Sequence, residues 1–157
     1  MTALPSPDHD HDACERDVLA RAEVVCTRRG VRLTPQRARV LEALIRSHVP
    51  ASAYEIIDRL AEDGARPAPI SVYRALEFLM ANGLAHRIES RNAFVACSHA
   101  HGDGSTAFLL CESCGAAGEA DAEALRVLIG SVAGRAGFTP TASVVEIRGV
   151  CAACRAA

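Results

Sequence analysis

Residues 71–97 run SVYRALEFLMANGLAHRIESRNAFVAC. In the first part Val72, Leu76, Leu79 and Met80 recur at helical spacing, and Asn82-Gly83 supplies a helix stop. LAHRIES (84–90) and AFVAC (93–97) then form two short alternating runs about Arg91-Asn92, the pattern of a β-hairpin. A short helix leading straight into a hairpin is the second half of a winged helix, provided that two more helices precede it.

The upstream chain predicts them. Thr34-Pro35 is a helix start, because a threonine oxygen caps free amides and proline at the first helical position needs no partner for its missing N–H. That helix carries Ala38, Val40, Leu41, Leu44 and Ile45 inward. Ser52 opens AYEIIDRLAEDG, with Tyr54, Ile56, Ile57 and Leu60 spaced for a helix and Gly64 as its stop. Further upstream, Val18, Leu19, Ala22, Val25 and Cys26 define a helix from Glu15 to Arg29, ended by Gly30. Residues 1–14, with Pro5, Pro7 and alternating Asp and His, read as a disordered tail, in which His9 and His11 read better as solvated residues than as metal contacts and Cys14 as a thiol with no role. Residues 15–97 are thus expected to be a winged helix-turn-helix domain. In that fold the last helix enters the major groove of double-stranded DNA and the hairpin lies along the backbone.

After a Gly-containing stretch, SHAHGDGS, the pattern changes. Short strands are expected around AFLLC and AAGEA, then a helix from Asp121 to about Arg135, then the strand ASVVEIRGV. The fold class is α+β, with a hinge over 98–106 and a small α/β domain over 107–157. About 50 residues are marginal alone, so such a unit needs a metal, a partner subunit or both.

The net charge of −2 argues weakly against nucleic acid, but its distribution does not. Residues 1–15 hold four acids and no Lys or Arg. Residues 16–91 hold thirteen Arg against nine acids, and residues 92–157 four Arg against six. The winged-helix segment is the basic one. All its cations are Arg, which a coding bias explains more simply than phosphate recognition does. No run approaches bilayer length, and MTALPSPDHDHDAC lacks the basic-then-apolar order of a signal peptide, so no membrane and a cytoplasmic location are expected. In that compartment seven cysteines point to metal rather than disulfides.

Cys111-x-x-Cys114 and Cys151-x-x-Cys154 carry the strongest signal. Each CxxC knuckle sets two thiolates on one tight turn, and two knuckles supply four soft ligands for tetrahedral zinc. Such a site is closed, hence structural. A second set, His86, Cys97, His99, His101 and Glu119, mixes imidazole, thiolate and carboxylate, which suits zinc over a purely hard-ligand ion. Taken singly, each histidine also reads as a surface residue and Cys97 as a buried strand residue. No HExxH occurs, nor an HxE ahead of a PCxxC, so no enzyme is expected.

VYRALEFLMANGLAHRIES, followed by Cys97 and the paired CxxC motifs, resembles the ferric uptake regulator (Fur) family, and within it the zinc uptake regulator (Zur) branch. LTPQR, SAYEIIDRL, VYRALEFL, CESCG and GVCAAC stand in family order from about Glu15 to Cys154. The resemblance implies a homodimer that binds palindromic operator DNA when zinc-loaded and represses zinc uptake genes, with two zinc ions per chain. It implies regulatory zinc ligands at His86, Cys97 and Glu119. Similar proteins place a histidine seven residues before the first CxxC cysteine, where this chain has Gly104, so His101, or else His99, is expected to complete the site. It also points Tyr54 and Arg74 toward DNA, with Ser71 and Tyr73 beside Arg74. Tyr54 reads almost as well as a helix-surface aromatic partly in the core. An iron- or peroxide-responsive regulator of the same family is the alternative; the His- and Asp-rich run typical of those sensors is absent.

Overall fold

The computed structural model describes residues 10–97 and 106–156. They fall into two compact units, one within Pro7–Ser98 and the other within His99–Ala157.

The first unit opens with α1 (His11–Arg28), which begins four residues before Glu15. The Asp10 carboxylate accepts the amide of Ala13 at 3.0 Å, an N-cap that turns the end of the expected tail into helix. Residues 1–9 lie outside the described residues. Val18, Ala22 and Cys26 form the buried stripe of α1, and Gly30, with φ +65°, ends it in the left-handed conformation that glycine adopts without strain.

In α2 (Pro35–Ile45) the Thr34 hydroxyl accepts the Arg37 amide, and Val40, Leu41, Ala43, Leu44 and Ile45 are buried. α3 (Ala53–Glu62) carries a full capping box: Ser52 Oγ accepts the Glu55 amide, while Glu55 Oε2 accepts the Ser52 amide at 2.7 Å. Its inward stripe is Ala53, Ile56, Ile57 and Leu60. Tyr54, expected to face DNA or else to lie on the helix surface partly in the core, is 64% exposed, because it stands next to Ala53 on a 3.6-residue helix and so about a quarter-turn off that stripe. α4 (Pro69–Ala81) starts at Pro69, earlier than Val72, and buries Val72, Ala75, Leu76 and Leu79.

The hairpin follows as β1 (Ala85–Ile88) and β2 (Ala93–Ala96), joined by a 3₁₀ turn over Glu89–Arg91 and by Asn92 at φ 45°. Ala51 pairs with Phe94 through two backbone hydrogen bonds of 2.9 and 2.8 Å, which fasten the wing to the segment ahead of α3. The buried stripes of all four helices join Leu84, Ala85 and Phe94 in one core.

The second unit is a three-stranded sheet of order β4-β3-β5. β3 (Thr106–Cys111) runs antiparallel to β4 (Ala117–Asp121) and parallel to β5 (Val145–Gly149). α5 (Glu123–Arg135) connects β4 to β5, and a short α6 (Ala152–Ala156), not anticipated from sequence, closes the chain. None of the residues of α5 is buried, and Val127, Leu128 and Val132 stand more than half exposed.

Candidate metal centres and nucleic-acid interface

The register of the second unit assembles the cysteines. Cys111 at the end of β3 is paired with Gly149 at the end of β5, so the two CxxC turns leave the sheet side by side. The amide of Glu112 donates to the Gly149 carbonyl at 2.8 Å, and Gly115, at φ 79°, folds the first knuckle back on Cys111. Cys114 Sγ lies 4.0 Å from Cys151 Sγ, and the sulfurs of Cys111, Cys114, Cys151 and Cys154 all lie within 4.8 Å of one another. A tetrahedron with arms of about 2.3 Å has edges of about 3.8 Å, so the set fits zinc with small adjustments.

The amides around the first knuckle prepare this site. The amides of Cys114 and Cys151 donate to the Cys111 sulfur, the latter at 3.4 Å, and together they lower its pKa to about 6. At Cys154 the Ser113 hydroxyl pulls the same way, but the neighbouring Cys151 and Cys114 sulfurs outweigh it and the thiol rises to about 11. One sulfur is ready as thiolate while its crowded neighbour keeps a proton. A divalent cation removes that conflict by neutralising the shared negative charge. None of the described cysteines is in a disulfide.

The wing carries two further donors. His86 lies opposite Val95, so Cys97, two residues along, shares that face of the hairpin. Cys97 is fully buried and its amide donates to the Leu84 carbonyl at 3.0 Å, while the guanidinium of Arg21 on α1 donates to its carbonyl. In the other unit Glu119 sits on β4 opposite Phe108 and is buried, at 3% exposure. A buried carboxylate is costly unless it is paired or holds a metal. His99, His101 and Gly104 lie outside the described residues.

The expected DNA-facing residues occupy solvent-exposed helix surface. Tyr73 and Arg74 are exposed on the first half of α4, Ser71 is half-buried beside them, and Tyr54 is exposed on α3. Ile70, 60% exposed on the first turn of α4, lies ahead of the helix start expected from the sequence. Pro69 was the available signal, since proline at the first helical position would have moved the helix start upstream.

A winged helix followed by a small α/β unit with a four-cysteine zinc site defines a metal-dependent transcription regulator. The chain belongs to the ferric uptake regulator family, whose model matches residues 28–148. It is 39% identical over 143 residues to the zinc uptake regulation protein of Escherichia coli (strain K12), covering 88% of this chain and 82% of that one. Among solved structures, a zinc uptake regulator complexed with zinc and DNA matches with TM-score 0.84 and 38% identity, covering 90% of this chain and 95% of that chain. The holo form of XcZur matches with TM-score 0.81 and 42% identity, covering 90% and 99%.

Proposed function

We propose that the chain is a zinc-responsive transcriptional repressor, which binds palindromic operators of zinc uptake genes as a zinc-loaded homodimer in the cytoplasm. The observation that carries this reading is a closed four-thiolate site on a chain similar to a regulator bound to zinc and DNA. A closed site has no free coordination position and serves stability, so the response belongs to the second set. We assign regulatory zinc to His86, Cys97, His101 and Glu119, with His99 as the alternative to His101, for two zinc ions per chain. The shared hairpin face of His86 and Cys97 and the buried Glu119 carboxylate support it.

The proposed division of labour is a winged-helix domain to residue 97, a hinge over 98–106 and a dimerisation domain over 107–157. Exposed Val127, Leu128 and Val132 on α5 support the last, since a contiguous apolar helix face calls for a cover. When bound, regulatory zinc supplies a cross-link between donors from the wing and donors from the dimerisation domain. Dimer symmetry then sets the spacing of the two α4 helices against two half-sites. Arg74, Tyr73, Ser71 and Tyr54 are the proposed DNA contacts, with Arg74 able to fork to guanine or to grip phosphate. Zinc favours this arrangement only by binding it more tightly than the others, so operator DNA must in turn tighten zinc binding.

The test is operator binding against buffered free zinc, with bound zinc counted in parallel and iron(II) and manganese(II) as controls. Binding is expected to rise only as the second zinc per chain loads, and Cys97→Ala or His86→Ala is expected to abolish that rise. Zinc-dependent binding that survives both substitutions overturns the assignment.

A further inference from the structure

Arg21 is a half-buried cation on α1, and its guanidinium donates to the Cys97 carbonyl across 76 residues of sequence. Cys14, Val18 and Arg21 follow one another at spacings of four and three and so share one face of the helix. That face lies against the second strand of the wing. Cys14 and Val18 line one small cavity with Val95 and Ala96 of β2, and Arg21 reaches the residue that comes next in the chain. Cys97 stands just past the last pair of the hairpin, Ala85 with Ala96. Its amide still donates to the Leu84 carbonyl at 3.0 Å, and Arg21 holds the other side of the residue at its carbonyl. Cys97 itself is buried between these two anchors.

We infer that Arg21 is a positioning residue for Cys97, through which α1 takes part in setting the zinc affinity of the regulatory site. The inference rests on the assignment of Cys97 to regulatory zinc proposed above. A sulfur binds tightly where its residue is already fixed in the bonding orientation; otherwise part of the binding energy goes into ordering the backbone and the rotamer. Beyond the end of a strand pair the ladder no longer fixes both sides of a residue, and here a side chain from another element supplies the missing hold. A guanidinium suits that task. It stays charged at every pH at which zinc binding is measured, and a charged donor makes a stronger hydrogen bond to a carbonyl than a neutral one does. Loss of such an outer partner lowers metal affinity by about 10–100-fold. A role in stability alone has a different signature: a weaker first unit with unchanged zinc affinity.

Zinc uptake by the full chain is measured across a chelator-buffered series for wild type, Arg21→Ala, Arg21→Gln, Arg21→Lys and Cys97→Ser. Alanine and glutamine are both good helix formers, so α1 is kept in two independent variants. Each is expected to weaken the second zinc equivalent by about 10-fold or more and to leave the first unchanged, and Arg21→Lys to recover part of the loss. Cobalt(II) is then added to chains whose four-cysteine site is filled by zinc. The second site is expected to give a thiolate-to-cobalt charge-transfer band that Cys97→Ser removes and that Arg21→Ala alters at saturation. Wild-type affinity for the second equivalent in Arg21→Ala and Arg21→Gln, with an unaltered cobalt band, overturns the inference whatever those variants lose in stability. If Cys97→Ser itself leaves the second equivalent in place, the assignment of Cys97 fails and the role of Arg21 fails with it.

Discussion

The two units meet the same difficulty, too little chain to bury much apolar surface, with different means. Within 10–97 every helix from α1 to α4 has a buried stripe, and Asp10, Thr34 and Ser52 cap three of them. Large side chains such as Leu41, Ile56, Leu76 and Leu79 lie wholly inside that core. Within 106–156 the buried apolar residues are few and mostly small, and α5 has none. What this unit has instead is four sulfurs close enough to share one ion. A unit with its own core stands by packing, and one without it stands by metal and partner.

Metal removal is the strongest way to break that contrast. Structural zinc in small peptides accounts for about 10–16 kcal/mol of apparent binding energy at neutral pH, which here is folding energy. Chelation, or Cys111→Ser, is therefore expected to abolish hydrogen-exchange protection in 106–156 while 10–97 keeps its own. If both units lose protection together, the first does not stand by packing. The converse is Leu41→Ala or Ile56→Ala in the zinc-loaded protein, each expected to cost the first unit about 2–5 kcal/mol in denaturant unfolding. Protection in the second unit should not change. A smaller effect follows for the exposed face of α5. Leu128→Asp is expected to weaken dimerisation by about 2 kcal/mol, or about 30-fold in dissociation constant. Sedimentation reads this directly, and an unchanged association would remove α5 from the interface.

The first unit was the more legible of the two for the same physical reason. A buried stripe forces apolar spacing, and caps force Ser, Thr or Pro at fixed places, so Thr34-Pro35 and Ser52 marked helix starts that the fold keeps. Misses came where one residue type serves two purposes. Asp10 in an acidic, His-rich segment reads as solvated tail, yet its carboxylate caps α1. The five Ala-rich residues after Cys151 carry no periodicity from which α6 follows. In the second unit the four cysteines were legible because metal geometry dictates spacing. The exposed face of α5 was not, since an apolar helix reads alike whether its cover is the same chain or another.

The gentlest test of the packing side of the comparison lies at Ser52. The Ser52 hydroxyl, and then its amide, hydrogen-bond the Glu55 carboxylate and hold its pKa below the ordinary 4.5. A carboxylate depressed on folding adds stability that is fully present above its unfolded pKa and is lost as pH falls through the folded one. Unfolding of the first unit should therefore become easier below about pH 4.5, and Glu55→Gln should remove that part of the pH dependence while leaving neutral stability almost unchanged. Because Glu55 is exposed, solvent screens the effect and it stays small. Ser52→Ala removes the hydroxyl that accepts the Glu55 amide while leaving the backbone amide of residue 52 to the Glu55 carboxylate, and is expected to cost about 1 kcal/mol at neutral pH. Denaturant midpoints at pH 7 and pH 4 for the two variants separate the cap from the charge. If the two lose equal stability at both pH values, the box is not what starts α3, and burial of Ala53 and Ile56 alone fixes its first turn.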